Sequence, residues 1–210
     1  MPQLLGATHL DAALADGHGV VLWVAHFCFN ALATKKALHL AGHRVWHLSR
    51  PEHGFSKSTL GIAALNPIRV RAEIGHLAGR IVFERDKPLA ATLAAQRLLR
   101  KNGILSITAG AWEGGRLAQI DILGGSLELA VGAPGLARLT GAALLPVFTV
   151  RGEGEDTIRV IIESPLAVPA EGGMDEALQD AARQFGNRLE NYVRRYPIEW
   201  RDWKNLALPQ

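Results

Sequence analysis

The sequence predicts an α/β protein, one domain over residues 1–210 with a mixed, largely parallel central sheet flanked by helices. Three observations predict it. Val20 to Ala25 is an uninterrupted, valine-rich apolar run, the pattern of a strand buried on both faces beneath covering helices. A helical stretch rich in Ala, Leu and Lys and then a second apolar run follow it, which reads as a βαβ unit with parallel strands. Near the other end, Met174 to Arg195 sets Ala177, Ala181, Phe185, Leu189 and Tyr192 along one face of a long amphipathic helix.

In chain order, Thr8 is placed to cap a short helix over residues 8–16, with Leu10 and Leu14 four apart and Gly17 after it. The strand at 20–25 follows. Asn30 to Ala41 is the crossover helix, stopped by Gly42, and Arg44 to Leu48 is the second strand. Ser49 to Gly54 is a polar turn, and the loosely apolar stretch that runs on to Leu65 has no clear periodicity. Pro67 to Val70 and Arg80 to Phe83 are short apolar runs of strand length. From Pro88 to Lys101, Leu89, Leu93 and Leu98 recur at helical spacing, with Pro in the first turn and cations before Gly103. Ile104 to Thr108 is another buried strand. Residues 117–131 hold two apolar pieces separated by Gly124-Gly125, either a hairpin or a loop. Gly135 to Thr140 reads as a short helix, Ala143 to Val150 as a strand, and Ile158 to Ile162 as its antiparallel partner. Pro197 stops the last helix before the tail Ile-Glu-Trp-Arg-Asp-Trp-Lys.

Composition narrows the function classes. No apolar run approaches the roughly 18 residues that a membrane span requires. The opening Met-Pro-Gln-Leu-Leu-Gly lacks the basic region and apolar core of a secretion signal, so a cytosolic location is the expectation. One cysteine, Cys28, excludes an intrachain disulfide and a multi-cysteine metal site. A net charge of +3 suits phosphate-bearing partners, acidic carrier proteins or an anionic membrane surface. The Lys and Arg residues are scattered and no nucleic-acid motif is present. His26 closes the apolar run, where open α/β sheets place their ligands, and this makes it a candidate general base. The alternative is a core histidine bonded to a neighbouring carbonyl. Cys28 in its apolar setting reads as a small buried hydrophobe rather than a nucleophile.

Several features fall in a familiar order: a strand ending in His26-Phe27, a helix, a strand followed by Arg50-Pro51, Glu113-Gly114-Gly115-Arg116, Leu123-Gly124-Gly125, a Pro146 ending a strand, and the terminal Tyr196 to Lys204. This order resembles the lysophospholipid acyltransferase superfamily over residues 17–204, and the terminal segment is most similar to its lipid A biosynthesis (lauroyl/myristoyl) branch. The resemblance implies acyl transfer from a thioester, on acyl-carrier protein or acyl-CoA, to a hydroxyl or amine; the thioester is a co-substrate and no cofactor or metal is implied. In that family a His and, five positions later, an Asp or Glu form the catalytic pair. His26 matches the histidine, but five residues on stands Ala31. Asn30, one residue earlier, has a side-chain oxygen that could hold the ring without a charge. The resemblance further implies that Glu113, Gly114, Gly115 and Arg116 hold an anionic group of the acceptor, through backbone N–H groups and the Arg116 fork, with Arg50 in a similar role; the alternative for residues 113–116 is a turn with an exposed ion pair. A literal His-x4-Glu occurs at His47 to Glu52, either a relocated pair or a coincidence. Trp200 and Trp203 with Arg195, Arg201 and Lys204 form either an interfacial anchor for an anionic membrane or an aromatic packing of the last helix. That branch usually carries a hydrophobic segment before the catalytic strand, and only nineteen residues precede it here, so a soluble or peripheral protein is expected. Two functions follow: a divergent acyltransferase with His26 as base, or an inactive relative that binds an acyl or lipid-like ligand or a partner protein. A carboxylate within hydrogen-bond reach of His26 favours the first.

Overall fold

Val20–Val24 (β2) is the central strand of a seven-stranded sheet, and every one of its residues is buried. Its side chains alternate between two cores: Val21 and Trp23 point into one, Val20, Leu22 and Val24 into the other. Burial on both faces requires exactly this kind of continuous apolar run. The computed structural model describes residues 1–49, 71–83, 88–110, 115–151 and 156–209.

The remaining elements are β1 (Gln3–Leu5), α1 (Ala7–Ala15), α2 (Asn30–Leu40), β3 (Val45–Ser49), β4 (Gly79–Val82), α3 (Pro88–Leu99), β5 (Ile104–Thr108), β6 (Leu117–Ile122), β7 (Gly125–Ala130), α4 (Gly132–Thr140), β8 (Ala143–Arg151), β9 (Ile158–Ile162) and α5 (Met174–Arg195), with 3₁₀ turns at Pro197–Glu199 and Trp203–Asn205. Residues 71–74 are also helical. The sheet order is β1-β9-β8-β2-β5-β3-β4. β8, β2, β5, β3 and β4 run parallel, while β9 is antiparallel to β8 and carries β1 parallel to itself. The protein is thus a single α/β domain with a mostly parallel central sheet between helices, as its sequence predicts. α1 and α2 supply one core; α3, α4, α5 and the β6–β7 hairpin supply the other.

Local details depart from the sequence reading where tertiary packing outranks local pattern. Thr8 lies inside α1 and does not cap it; the cap is Gly6, in the left-handed region at φ 72°. A side chain there would meet the Ile162 carbonyl oxygen at 2.0 Å, so close contact with β9 selects glycine at this position. On α3 the buried face is Ala91, Ala95 and Leu99, whereas Leu89 and Leu93 are exposed. Small alanines let a helix approach a sheet closely, and spacing of leucines alone does not reveal that. Residues 117–131 form a hairpin whose central turn residues are Leu123 and Gly124, both at positive φ as a primed two-residue turn requires, and Gly125 already belongs to β7. Pro146 sits within β8 instead of ending it. Its carbonyl accepts the Glu163 N–H at 3.0 Å, so its nitrogen faces β9 just past the ladder's last pair, Val147 with Ile162, at the end of the β8–β9 pairing. Pro67 to Val70 lies outside the described residues.

Candidate active site

Beyond Val24 the chain leaves the sheet at its carboxyl edge, and His26 is the second residue out. Ala25 N–H still reaches the Val147 carbonyl (2.9 Å), and Ala109 N–H reaches Val24 (2.7 Å), so β8 and β5 hold the segment from both sides. A third element then covers it. After α5, the tail runs antiparallel to residues 26–28: Cys28 N–H donates to Glu199 (2.8 Å), Phe27 bridges Trp200, and Arg201 N–H donates to the His26 carbonyl (3.0 Å). Phe27 and Trp200 are buried and anchor this register.

That register brings Asp202 to the imidazole. His26 Nδ1 lies 3.0 Å from Asp202 Oδ1, with the histidine side chain 27% exposed and the aspartate side chain 6% exposed. With its proton on Nδ1 the ring donates to the carboxylate, and Nε2 keeps a lone pair on a side chain that is partly exposed. A buried carboxylate in this position fixes the tautomer and stabilises the imidazolium that forms when Nε2 takes a proton. Asp202 also accepts at Oδ1 from Asn205 Nδ2 (3.1 Å).

Asn30 is buried at the first position of α2, its N–H donating to Phe27 O (3.3 Å), and no hydrogen bond joins its side chain to His26. Ala31 follows it in α2 and leaves the ring's partner to the tail. Arg116 pairs with Asp175 in the first turn of α5 at 3.3 Å, both side chains largely exposed, and no hydrogen bond or ion pair joins it to His26. Gly115 opens the same segment, with open space where a Cβ would stand. Arg50, Glu113 and Gly114 lie outside the described residues. Of the His47 to Glu52 pair, Glu52 also lies outside them, while His47 is buried with Nδ1 3.1 Å from the Ser106 carbonyl oxygen. Cys28 is exposed, not buried. The two tryptophans divide: Trp200 is buried, and Trp203 packs edge-on against it at 4.8 Å while remaining 45% exposed.

Further along the carboxyl edge, Arg80 donates two hydrogen bonds to Ser49 Oγ at the end of β3 (3.0 and 2.8 Å). Lys35 of α2 is buried in an ion pair with Glu73. At the end of β8, the Arg151 guanidinium lies 4.9 Å from the Phe29 ring centroid and its backbone N–H donates to the Glu199 carboxylate (3.0 Å). Among the described residues no cluster of His, Cys, Asp and Glu is arranged to hold a metal ion, and no helix is long and apolar enough to cross a membrane.

Sequence reasoning missed Asp202. It stands 176 residues from His26, and the one signal was the Trp-Arg-Asp-Trp segment, whose aromatics drew the packing and anchor readings.

A mostly parallel sheet between helices is a fold that a solved acyltransferase also adopts. One similar solved structure is the 1-acyl-sn-glycerophosphate acyltransferase PlsC from Thermotoga maritima, with a TM-score of 0.53 and 12% identity over 92% of this chain and 73% of that one. At that identity the likeness establishes the fold. No protein-family profile matches the chain, and no curated protein matches it in sequence.

Proposed function

We propose that the protein transfers an acyl group from a thioester donor, acyl-carrier protein or acyl-CoA, to a hydroxyl or amine of a polar or lipid-like acceptor. His26 is the general base and Asp202 its orienting carboxylate. The observation that carries this reading is the 3.0 Å contact between His26 Nδ1 and a buried Asp202 carboxylate at the carboxyl edge of the sheet. An alcohol has far too high a pKa to attack a thioester unaided, and a positioned imidazole contributes roughly 10²–10⁴-fold. His26 Nε2 takes the acceptor's proton as the acceptor oxygen bonds to the thioester carbonyl carbon. The tetrahedral intermediate then collapses, the C–S bond breaks, and the imidazolium returns the proton to the departing thiolate. The reaction is balanced by its two substrates and needs no cofactor.

The competing reading, an inactive relative that binds an acyl chain or a partner protein, drew its support from Ala31. A carboxylate supplied from the tail removes that support. The finer assignment to the lipid A branch rests on the resemblance of residues 196–204 alone. Arg50, Glu113, Gly114, Gly115 and Arg116 are proposed to meet the acceptor's anionic group, and exposed Ile198 and Trp203 beside Arg201 and Lys204 to meet an anionic lipid surface.

The test is release of free thiol from acyl-CoA and from acyl-carrier thioesters, with and without hydroxyl acceptors such as glycerol phosphates. Acceptor-dependent release that His26→Ala and Asp202→Asn each reduce at least 100-fold is the expected result. Release unaffected by His26→Ala would overturn the mechanism, and no release from any donor would return the binding reading.

A further inference from the structure

We infer that Asn205 is a positioning residue, which holds the Asp202 carboxylate in the plane that His26 requires. The inference rests on the reading of His26 as the base. Two donors converge on one oxygen, Asp202 Oδ1: the imidazole Nδ1 at 3.0 Å and the Asn205 amide Nδ2 at 3.1 Å. A carboxylate held by the imidazole alone can swing about its side-chain torsions as the ring takes and returns a proton. A second donor, carried by a residue whose own backbone is hydrogen-bonded to residue 202, restricts that freedom.

The backbone around Asn205 is built to provide this. Asn205 N–H donates to the Asp202 carbonyl at 2.8 Å, closing the Trp203–Asn205 3₁₀ turn, so side chain and main chain of residue 205 both engage residue 202. Two residues further, Ala207 exchanges a pair of hydrogen bonds with Ser126 of β7 (2.8 and 2.9 Å). The tail is therefore a strap fastened at both ends, by residues 199–201 to residues 26–28 and by Ala207 to β7, with Asp202 and Asn205 between the fastenings. The identity of the second donor also fits. A lysine or arginine at residue 205 would neutralise the charge with which Asp202 stabilises the imidazolium, whereas a neutral amide orients the carboxylate and leaves that charge in place.

The experiment uses the full chain, with Asn205→Ala and its near-isostere Asn205→Asp compared with wild type in thioester turnover and in ¹⁵N NMR of the His26 imidazole. The expected results are a kcat about tenfold lower for Asn205→Ala, as loss of a hydrogen bond to a charged group implies, with KM for donor and acceptor unchanged. Asn205→Asp, which sets an acceptor of like charge against Oδ1, falls further although its shape is nearly unchanged. In both variants the imidazole shifts move away from a single Nδ1–H tautomer while near-ultraviolet circular dichroism stays native. Variants that keep kcat within twofold, or an Asn205→Asp equal to Asn205→Ala, overturn the inference. Should Asp202→Asn abolish turnover while both Asn205 variants retain it, only this inference falls. Should His26→Ala leave turnover intact, the proposed base falls, and an unchanged or altered tautomer in the Asn205 variants still decides the role of Asn205.

Discussion

At residue 202 stands the carboxylate that the proposed mechanism pairs with His26, a pairing that the methyl group of Ala31 cannot make. An aspartate introduced at Ala31 consequently gives no gain in an otherwise native chain, because His26 Nδ1 is already engaged. In an Asp202→Asn background, by contrast, Ala31→Asp recovers part of the lost turnover. Paired kcat measurements on the single and double variants check this, and a rise in turnover for Ala31→Asp alone would show that Asp202 is not the working acid. His26 was legible in the sequence because a strand buried on both faces advertises its own carboxyl end. Asp202 was not, because a contact across 176 positions leaves no local spacing to read, and Asn30 stood in for it only by being nearby in sequence. Thr8 and the leucines of α3 show the same limit from another side. Caps and exposed faces are decided by what packs against them, β9 for α1 and the sheet for α3.

Among the elements, the β6–β7 hairpin carries no candidate catalytic side chain, yet it fixes the far end of the strap. A Cβ on Gly125 would stand 2.4 Å from the Ala207 carbonyl oxygen, a backbone atom that cannot turn aside. Gly125→Ala accordingly pushes the strap off β7 and loosens Asp202. Its expected signature is a several-fold loss of turnover with a stability loss of about 1–2 kcal/mol, read by kinetics and urea titration side by side. Unchanged kinetics in that variant would mean that the Ala207 fastening plays no part in the site. Gly6→Ala makes the opposite contrast. It forces an alanine into φ 72° against Ile162, far along the chain from the strap, and lowers stability by about 1–3 kcal/mol while kcat in the folded fraction holds. The hairpin itself was half legible: the paired apolar pieces were visible, but the turn falls at Leu123-Gly124 because the primed geometry is set there and not at the two glycines.

For the whole molecule, one helix ties core to site. Phe185 of α5 packs on Trp23 of β2 at 4.2 Å and on Phe148 of β8 at 5.8 Å, and α5 then delivers the strap from its last turn. Phe185→Ala opens a cavity among fully buried rings and costs about 3–5 kcal/mol, measurable as a lowered denaturation midpoint. The surface around the strap carries the lipid prediction. The protein co-sediments with vesicles containing anionic phospholipid and less with neutral ones, and Ile198→Glu with Trp203→Glu removes the difference; equal binding to both vesicle types would refute it. The layered fold was legible because burial on two faces, helical periodicity and turn residues agreed along most of the chain. The order of the strands on the sheet and the path of the tail were not, since both are settled between elements distant in sequence. The strap also has a temporal meaning. A ribosome synthesises His26 176 residues before it synthesises Asp202. A nascent chain can thus finish its sheet and display His26 before the carboxylate that the proposed mechanism pairs with it exists, and the pair forms only once Asp202 has emerged and the strap has lain down.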